Sequence, residues 1–242
     1  MESSFHLLKK LLFTLKTKEN NILIFIILCF CFCMHKTEAQ NNSENKLGSW
    51  YMVDATHLVS KNLKLITNLH FRYFELASNY QQEIYRVGLN YSFHKNLKFT
   101  VGFVYSITDN SYKSSSPNNY EYRFYQDLIY LKMWKKIKVN HRIRLAQRFQ
   151  RNMFDNSINH RIRYRFLLNK PLSKDLEIYA FNEIFVNFNS KLFDQNRLGG
   201  GFIKKINDNL KFKIGYFYNN FSESNFHRLQ LGFHITTNQL KK

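Results

Sequence analysis

From residue 63 onward, apolar and polar residues alternate with period two, the pattern of a strand that buries one face. One face of four segments reads Leu63, Leu65, Thr67, Leu69, Phe71, Tyr73; then Leu97, Phe99, Val101, Phe103, Tyr105, Ile107; then Ile162, Tyr164, Phe166, Leu168; then Leu210, Phe212, Ile214, Tyr216, Tyr218. Twenty of these 21 positions are apolar, whereas the interleaved positions hold only Ile66, Val104, Leu167 and Phe217 as large apolar residues. No helical period competes with that contrast. The pattern predicts eleven strands, over about 48–59, 62–76, 81–93, 96–108, 120–133, 137–151, 159–169, 176–188, 196–206, 209–221 and 226–237.

A repeated turn groups these strands into hairpins. Lys61-Asn62-Leu63-Lys64 recurs as Lys95-Asn96-Leu97-Lys98, Lys174-Asp175-Leu176-Glu177 and Asp208-Asn209-Leu210-Lys211, with Lys135-Lys136-Ile137-Lys138 a looser copy. The anchors Leu63, Leu97, Ile137, Leu176 and Leu210 lie 34, 40, 39 and 34 residues apart, the length of two long strands and two turns. Short Asn/Asp/Lys links suit tight hairpin connections. The alternate connections are longer and more polar: Thr108–Asn119, Asn152–Asn159 and Asn189–Asn196. Tight turns at one end and longer loops at the other is the asymmetry of an outer-membrane barrel, with the tight turns facing the periplasm. Bacterial single-chain barrels carry an even number of strands. A twelfth strand is therefore expected within Asn41–Tyr51, or a first segment that splits, since strands one and eleven would otherwise meet in parallel.

The N-terminal segment adds a location. Lys9, Lys10, Lys16 and Lys18 precede the apolar run Ile22–Met34, which ends in Thr37-Glu38-Ala39-Gln40. A basic start, a short apolar stretch and a small residue at its end make a secretory signal peptide, cleaved near Ala39 or Gln40. The run is 13 residues, short of the ~20 that a spanning helix needs, which disfavours the alternative of a membrane anchor. All three cysteines, Cys29, Cys31 and Cys33, fall inside this run, so the mature chain is expected to have neither disulfide nor thiolate metal site. The bulky residues before them (Leu28, Phe30, Phe32) do not suit a lipoprotein signal. The expected organisation is a signal peptide over 1–40 and one barrel domain over 41–242.

Charge changes the picture of the polar face. Removing residues 1–40 leaves 31 basic and 14 acidic residues, a net of +17. Such a balance could suggest nucleic acid, but an exported chain rarely meets it, and the charges alternate with apolar residues instead of forming blocks. A soluble barrel would also alternate. Three features favour lipid on the outside: strands of 11 to 15 residues, long enough for a tilted span; a uniformly large apolar face, with only Ala55, Ala77, Ala146 and Ala180 as alanines in the mature chain; and aromatics near strand ends (Tyr73, Tyr105, Trp134, Tyr218) that resemble an interfacial girdle.

With lipid outside, the polar parity lines the lumen. It carries a basic ladder: Arg142, Arg144 and Arg148 on strand six, Arg161, Arg163 and Arg165 on strand seven, and Arg72, Arg86, Arg123 and Arg228 elsewhere. His70, Arg197, Lys211 and Lys213 share that parity, and the acids Glu121, Asp127, Glu177 and Glu183 also face inward. Arginines paired with carboxylates would fill and rigidify a narrow bore. A basic eyelet would instead lower the barrier for small anionic or sugar solutes. A third arrangement closes the bore with the Thr108–Asn119 loop.

Catalysis has little support. His141 falls on the lipid parity and His160 and His227 lie near loops, with no serine or carboxylate at a telling spacing to any of them. No phosphate-binding glycine loop or metal-ligand cluster is visible, and Gly199-Gly200-Gly201 lies inside a strand, where glycines mark a bend or close approach. No catalytic residue, metal or cofactor is expected.

The order of Leu47-Gly48-Ser49-Trp50, Lys61-Asn62-Leu63-Lys64, Tyr125-Gln126-Asp127-Leu128 and an arginine-rich pair of strands resembles the family named domain of unknown function 2490, over roughly residues 47–237. The resemblance implies a small outer-membrane barrel and no established activity, so no functional residue carries over. The last aromatic is Phe233, whereas many outer-membrane barrels end on one. The expectation is an all-β, single antiparallel up-and-down transmembrane barrel of about 10–12 strands, its partner outer-membrane lipid, acting as a small porin-like channel. A non-conducting structural or interaction barrel is the alternative, and a lipid-modifying barrel enzyme a third.

Overall fold

A computed structural model describes residues 46–109, 118–151, 156–189 and 191–238. The segment 1–40 expected as a signal peptide, and most of the Thr108–Asn119 loop, lie outside the described residues. Eleven strands run in chain order: β1 (Leu47–Leu58), β2 (Leu63–Tyr73), β3 (Tyr80–Ser92), β4 (Leu97–Thr108), β5 (Asn119–Trp134), β6 (Ile137–Arg151), β7 (Asn156–Pro171), β8 (Leu176–Asn187), β9 (Phe193–Lys205), β10 (Leu210–Phe221) and β11 (Asn225–Asn238). Each coincides with a strand expected from the alternation, and the described residues contain no helix.

Every strand pairs with the next in antiparallel fashion, and β1 closes on β11 to complete a barrel. That seam is parallel, from Leu47↔His227 to Leu58↔Asn238. The expected even strand number is therefore corrected: eleven strands close, and Leu47–Tyr51, offered as part of a twelfth, are the first residues of β1. Residues 41–45 lie outside the described residues. A parallel ladder is slightly weaker per residue than an antiparallel one. It still pairs both edges over their full length, and closure alone removes edge strands.

Register partners in either kind of ladder point to the same side of the sheet, so the seam leaves the alternation intact. Asp54 pairs with Asn68, Asn68 with Arg86, Arg86 with Val104, Val104 with Arg123 and Arg123 with Arg148. All six lie on the inward parity. Across the seam the inward Trp50, Met52 and Asp54 pair with Gln230, Gly232 and His234.

The outward parity is apolar and open. Leu69, Phe71, Val87, Leu89, Val101, Phe124, Ile143, Phe202 and Phe233 are all exposed large hydrophobics, Phe124 at 53%. Outward polar residues pair among themselves. Gln126 and Gln147 exchange amide bonds at 3.3 Å in both directions. His141 Nδ1 shares a hydrogen bond with Tyr164 Oη at 2.8 Å. Tyrosines also meet around the loop end, edge-on in Tyr51–Tyr73 and Tyr73–Tyr80 and tilted in Tyr105–Tyr122.

An ionic and aromatic core inside the barrel as candidate functional site

β6 and β7 set an electrostatic problem. Their register puts Arg142 opposite Arg165 and Arg144 opposite Arg163, and like charges directly opposite destabilise a strand pair. The neighbouring strands answer it. β5 sets Asp127 beside Arg144, and β8 sets Glu183 beside Arg165.

The resulting pairs are short. Arg144 donates through Nε and Nη2 to the two oxygens of Asp127, at 2.5 and 2.6 Å. Arg148 forks onto Glu121 at 2.6 and 2.9 Å, and Arg123 reaches the same carboxylate at 2.7 Å. Glu183 accepts from Arg142 at 2.6 Å and from Arg163 at 2.8 Å. Arg161 donates to Asp194 at 2.8 Å. The planar guanidinium matches a carboxylate bidentately, which adds geometry as well as energy.

Aromatic rings fill the spaces between these ions. Arg144 lies over Tyr125 with its Cζ 4.1 Å from the ring centroid. Arg163 and Arg197 lie over Phe185 at 4.3 and 4.5 Å. Arg72 and Arg197 lie over Trp50 at 3.6 and 4.9 Å. Lys213 lies over Tyr179 at 4.5 Å, and Arg228 over Phe226 at 4.6 Å. Such contacts strengthen where they are shielded from water. Tyr125 fits because β3 and β4 present glycine beneath it: a Cβ on Gly102 would stand 2.5 Å from its Cζ, and one on Gly88 would collide with its hydroxyl.

Eight strands give a barrel whose side chains just fill it. Eleven make a wider bore, and arginine stacked on aromatics is long enough to cross it. Arg123, Arg142, Arg144, Arg161, Arg163 and Arg228 are buried, as are Glu121, Asp127 and Glu183. Arg72, Arg86, Arg148 and Arg165 are half-buried. Of the sequence-nominated acids, Glu177 stands apart, bonded to Lys211 at 3.4 Å towards the tight-turn end.

Among the described residues, five inward arginines take no carboxylate. Arg72 donates to Gln82 Oε1 at 2.7 Å, Arg86 to Asn68 Oδ1 at 3.2 Å, Arg197 to Gln195 Oε1 at 3.1 Å and Arg228 to the His227 carbonyl at 3.0 Å. The fifth, Arg165, has its Nε buried without an acceptor.

Sequence reasoning overlooked several participants. Asp54 accepts from Asn68 at 2.7 Å and bonds His70 at 3.0 Å, and Asp194 holds Arg161. Trp50, Tyr125, Tyr179 and Phe185 face inward although aromatic. Parity was the available signal: Tyr125 sits between Arg123 and Asp127, and Phe185 two residues from Glu183.

The loop end is partly capped. Ser49 Oγ and Tyr51 Oη both donate to the Leu76 carbonyl, at 2.5 and 2.6 Å, and Phe74 is buried beside Arg228.

These features define a class: a closed eleven-stranded barrel, apolar outside, with an arginine–carboxylate–aromatic interior. The chain belongs to the family described as protein of unknown function (DUF2490), which matches residues 47–230, from the start of β1 into β11. No curated protein matches the chain.

Proposed function

We propose that this protein is an exported outer-membrane barrel whose bore is closed by its own ionic core, a non-conducting scaffold that works through its loop-end surface. One observation carries the reading: six inward arginines are spent on carboxylates of the same barrel and four more lie over its aromatic rings, with Arg144 only 3% exposed and Arg228 only 2%. A basic eyelet needs guanidinium groups facing water, where a passing anion can exchange with it.

Membrane residence is supported by the apolar outward face and by strands of 11 to 16 residues, against the ~9–11 that a tilted span requires. The mutual pairing of the outward Gln126 and Gln147 suits hydrocarbon, where an unpaired amide is costly. The basic–apolar leader supports export. An enzymatic reading would lean on His141, which is engaged with Tyr164 on the outer face.

A porin-like channel is the second reading, favoured by the five arginines that bond no carboxylate. Outer-membrane fractionation with heat-modifiable gel migration tests residence; a soluble, heat-insensitive periplasmic protein would overturn it. Purified barrel in a planar bilayer tests the bore. The expected record is silent, and stepwise conductance with anion preference in a salt gradient would restore the channel.

A further inference from the structure

The inward ions do not balance. Glu121 and Glu183 each serve two arginines and Asp127 and Asp194 one each. Arg72 and Arg197 are left bonded to neutral amides, although both face the bore and are half-buried. Arg72 lies within electrostatic reach of four other arginines, Arg197, Arg86, Arg123 and Arg228. Arg197 has Glu183 and Asp194 within reach, but bonds neither, and both are already engaged. A buried guanidinium without a counter-charge is expensive, because water is lost and nothing replaces it.

Trp50 is shared by these two arginines. Their Cζ atoms lie 3.6 and 4.9 Å from its ring, one reaching it from the adjacent β2 and the other from β9, three strands away on the far side of the seam. The indole Nε1, Arg72 Nε and Arg197 Nε are all buried donors without an acceptor. Tryptophan usually finds a partner for its N–H when it is buried. Three orphan donors gather at one indole, and the charge of Arg72 faces only other arginines.

We propose that Arg72, Trp50 and Arg197 form a binding site for an oxyanion, the phosphate or carboxylate group of a small ligand. Two guanidinium groups gathered at one indole offer donors that a multi-oxygen anion can accept together, with the indole N–H as a third. Arginine forks select such multi-oxygen acceptors over a spherical halide. The neutral amides of Gln82 and Gln195 hold the two guanidinium groups without neutralising them.

Trp50 is also the reporter, because Trp134 is the only other tryptophan in the sequence. The full mature barrel carrying Trp134→Phe, in detergent, is titrated with sodium phosphate and separately with sodium acetate, against sodium chloride at equal ionic strength. The expected result is a saturable change in Trp50 emission with an oxyanion and none with chloride; the one that saturates at lower concentration identifies the group. Saturating oxyanion raises the unfolding temperature by about 5 °C. Arg72→Gln and Arg197→Gln abolish the response, and Arg72→Gln unfolds at a higher temperature than the parent without oxyanion, since an uncompensated charge has gone. If the glutamine variants do not fold, Arg72→Lys and Arg197→Lys decide the matter: charge without the fork lowers the affinity about tenfold. No saturable change, an equal response to chloride, or an unaltered response in the arginine variants would overturn the site. The titration reads the site whether or not the barrel conducts.

Discussion

Asp127 and Arg144 face each other across one register step of β5 and β6, joined by two parallel bonds and shielded from water. Breaking such a pair from one side is costly, because the surviving charge keeps its desolvation penalty and loses its compensation. Asp127→Asn preserves shape and removes charge, and is expected to destabilise the barrel by about 3–5 kcal/mol. Replacing both, as Asp127→Leu with Arg144→Met, removes both penalties and should bring stability back towards the parent. Urea unfolding of the refolded barrel measures the cycle. Additive losses in the double variant would mean that the pair is not coupled.

Packing against the ring of Tyr125 makes an equally specific demand on its neighbours. A Cβ on Gly88 would strike the tyrosine hydroxyl first, its next neighbours being no closer than 3.1 Å, whereas a Cβ on Gly102 would also stand 2.5 Å from the Val87 carbonyl. Gly88→Ala is therefore expected to cost about 1–3 kcal/mol, and Tyr125→Phe in the same chain to recover most of it. Gly102→Ala should not be rescued by that change, because backbone does not yield. Thermal unfolding of the two single and two double variants checks the asymmetry.

At the scale of the element, period-two alternation made the strands legible, since each carries an apolar outer face against a charged inner one. The repeated Lys-Asn-Leu turn likewise marked the tight-turn end. The parallel seam was implied by the count of eleven strands, since an odd number of strands joined by antiparallel steps brings the two ends together in parallel, and the even number that bacterial barrels keep argued against it. Nothing in the side chains of β1 or β11 encodes the direction of the partner strand, so the pattern alone could not decide between the two. The inward Trp50, Tyr125 and Phe185 escaped notice because an aromatic residue suits either face of a barrel lined with arginine. The inward arginines of β6 and β7 could be placed by parity, but their partners could not, because Glu121 and Glu183 each serve arginines from different strands.

The parallel seam carries its own test. Ala55 pairs with Ile235 in the observed register, four residues from Leu231, which pairs with Tyr51. All the cysteines of the sequence lie within residues 29–33, so introduced thiols stand alone in a chain that begins at residue 41. Ala55→Cys with Ile235→Cys should be joined by a short bifunctional thiol reagent, while Ala55→Cys with Leu231→Cys should not. An antiparallel seam about Val53 and Phe233 would reverse the two results.

The whole molecule is a protein turned inside out relative to a soluble barrel: ions within, aliphatic and aromatic side chains without. That inversion makes one substitution diagnostic of the surrounding solvent. Ile143 lies midway along β6, points outward, is 42% exposed and is flanked in register by Leu128 and Tyr164. On a water-facing surface Ile143→Lys would change stability by less than ~0.5 kcal/mol, as exposed positions generally do. In the middle of a bilayer the same lysine costs about 2–4 kcal/mol, because its ammonium must lose water or drag it in. Near the tight-turn end, Trp134→Lys places the charge beside the interface, where the expected cost falls to ~0–1 kcal/mol. Unfolding titrations of both variants in lipid vesicles give the depth dependence directly. A large penalty at residue 143 with a small one at 134 is the signature of a spanning barrel. Equal small effects at both would mean that the outer face meets water, and the apolar band would then need a protein partner to cover it.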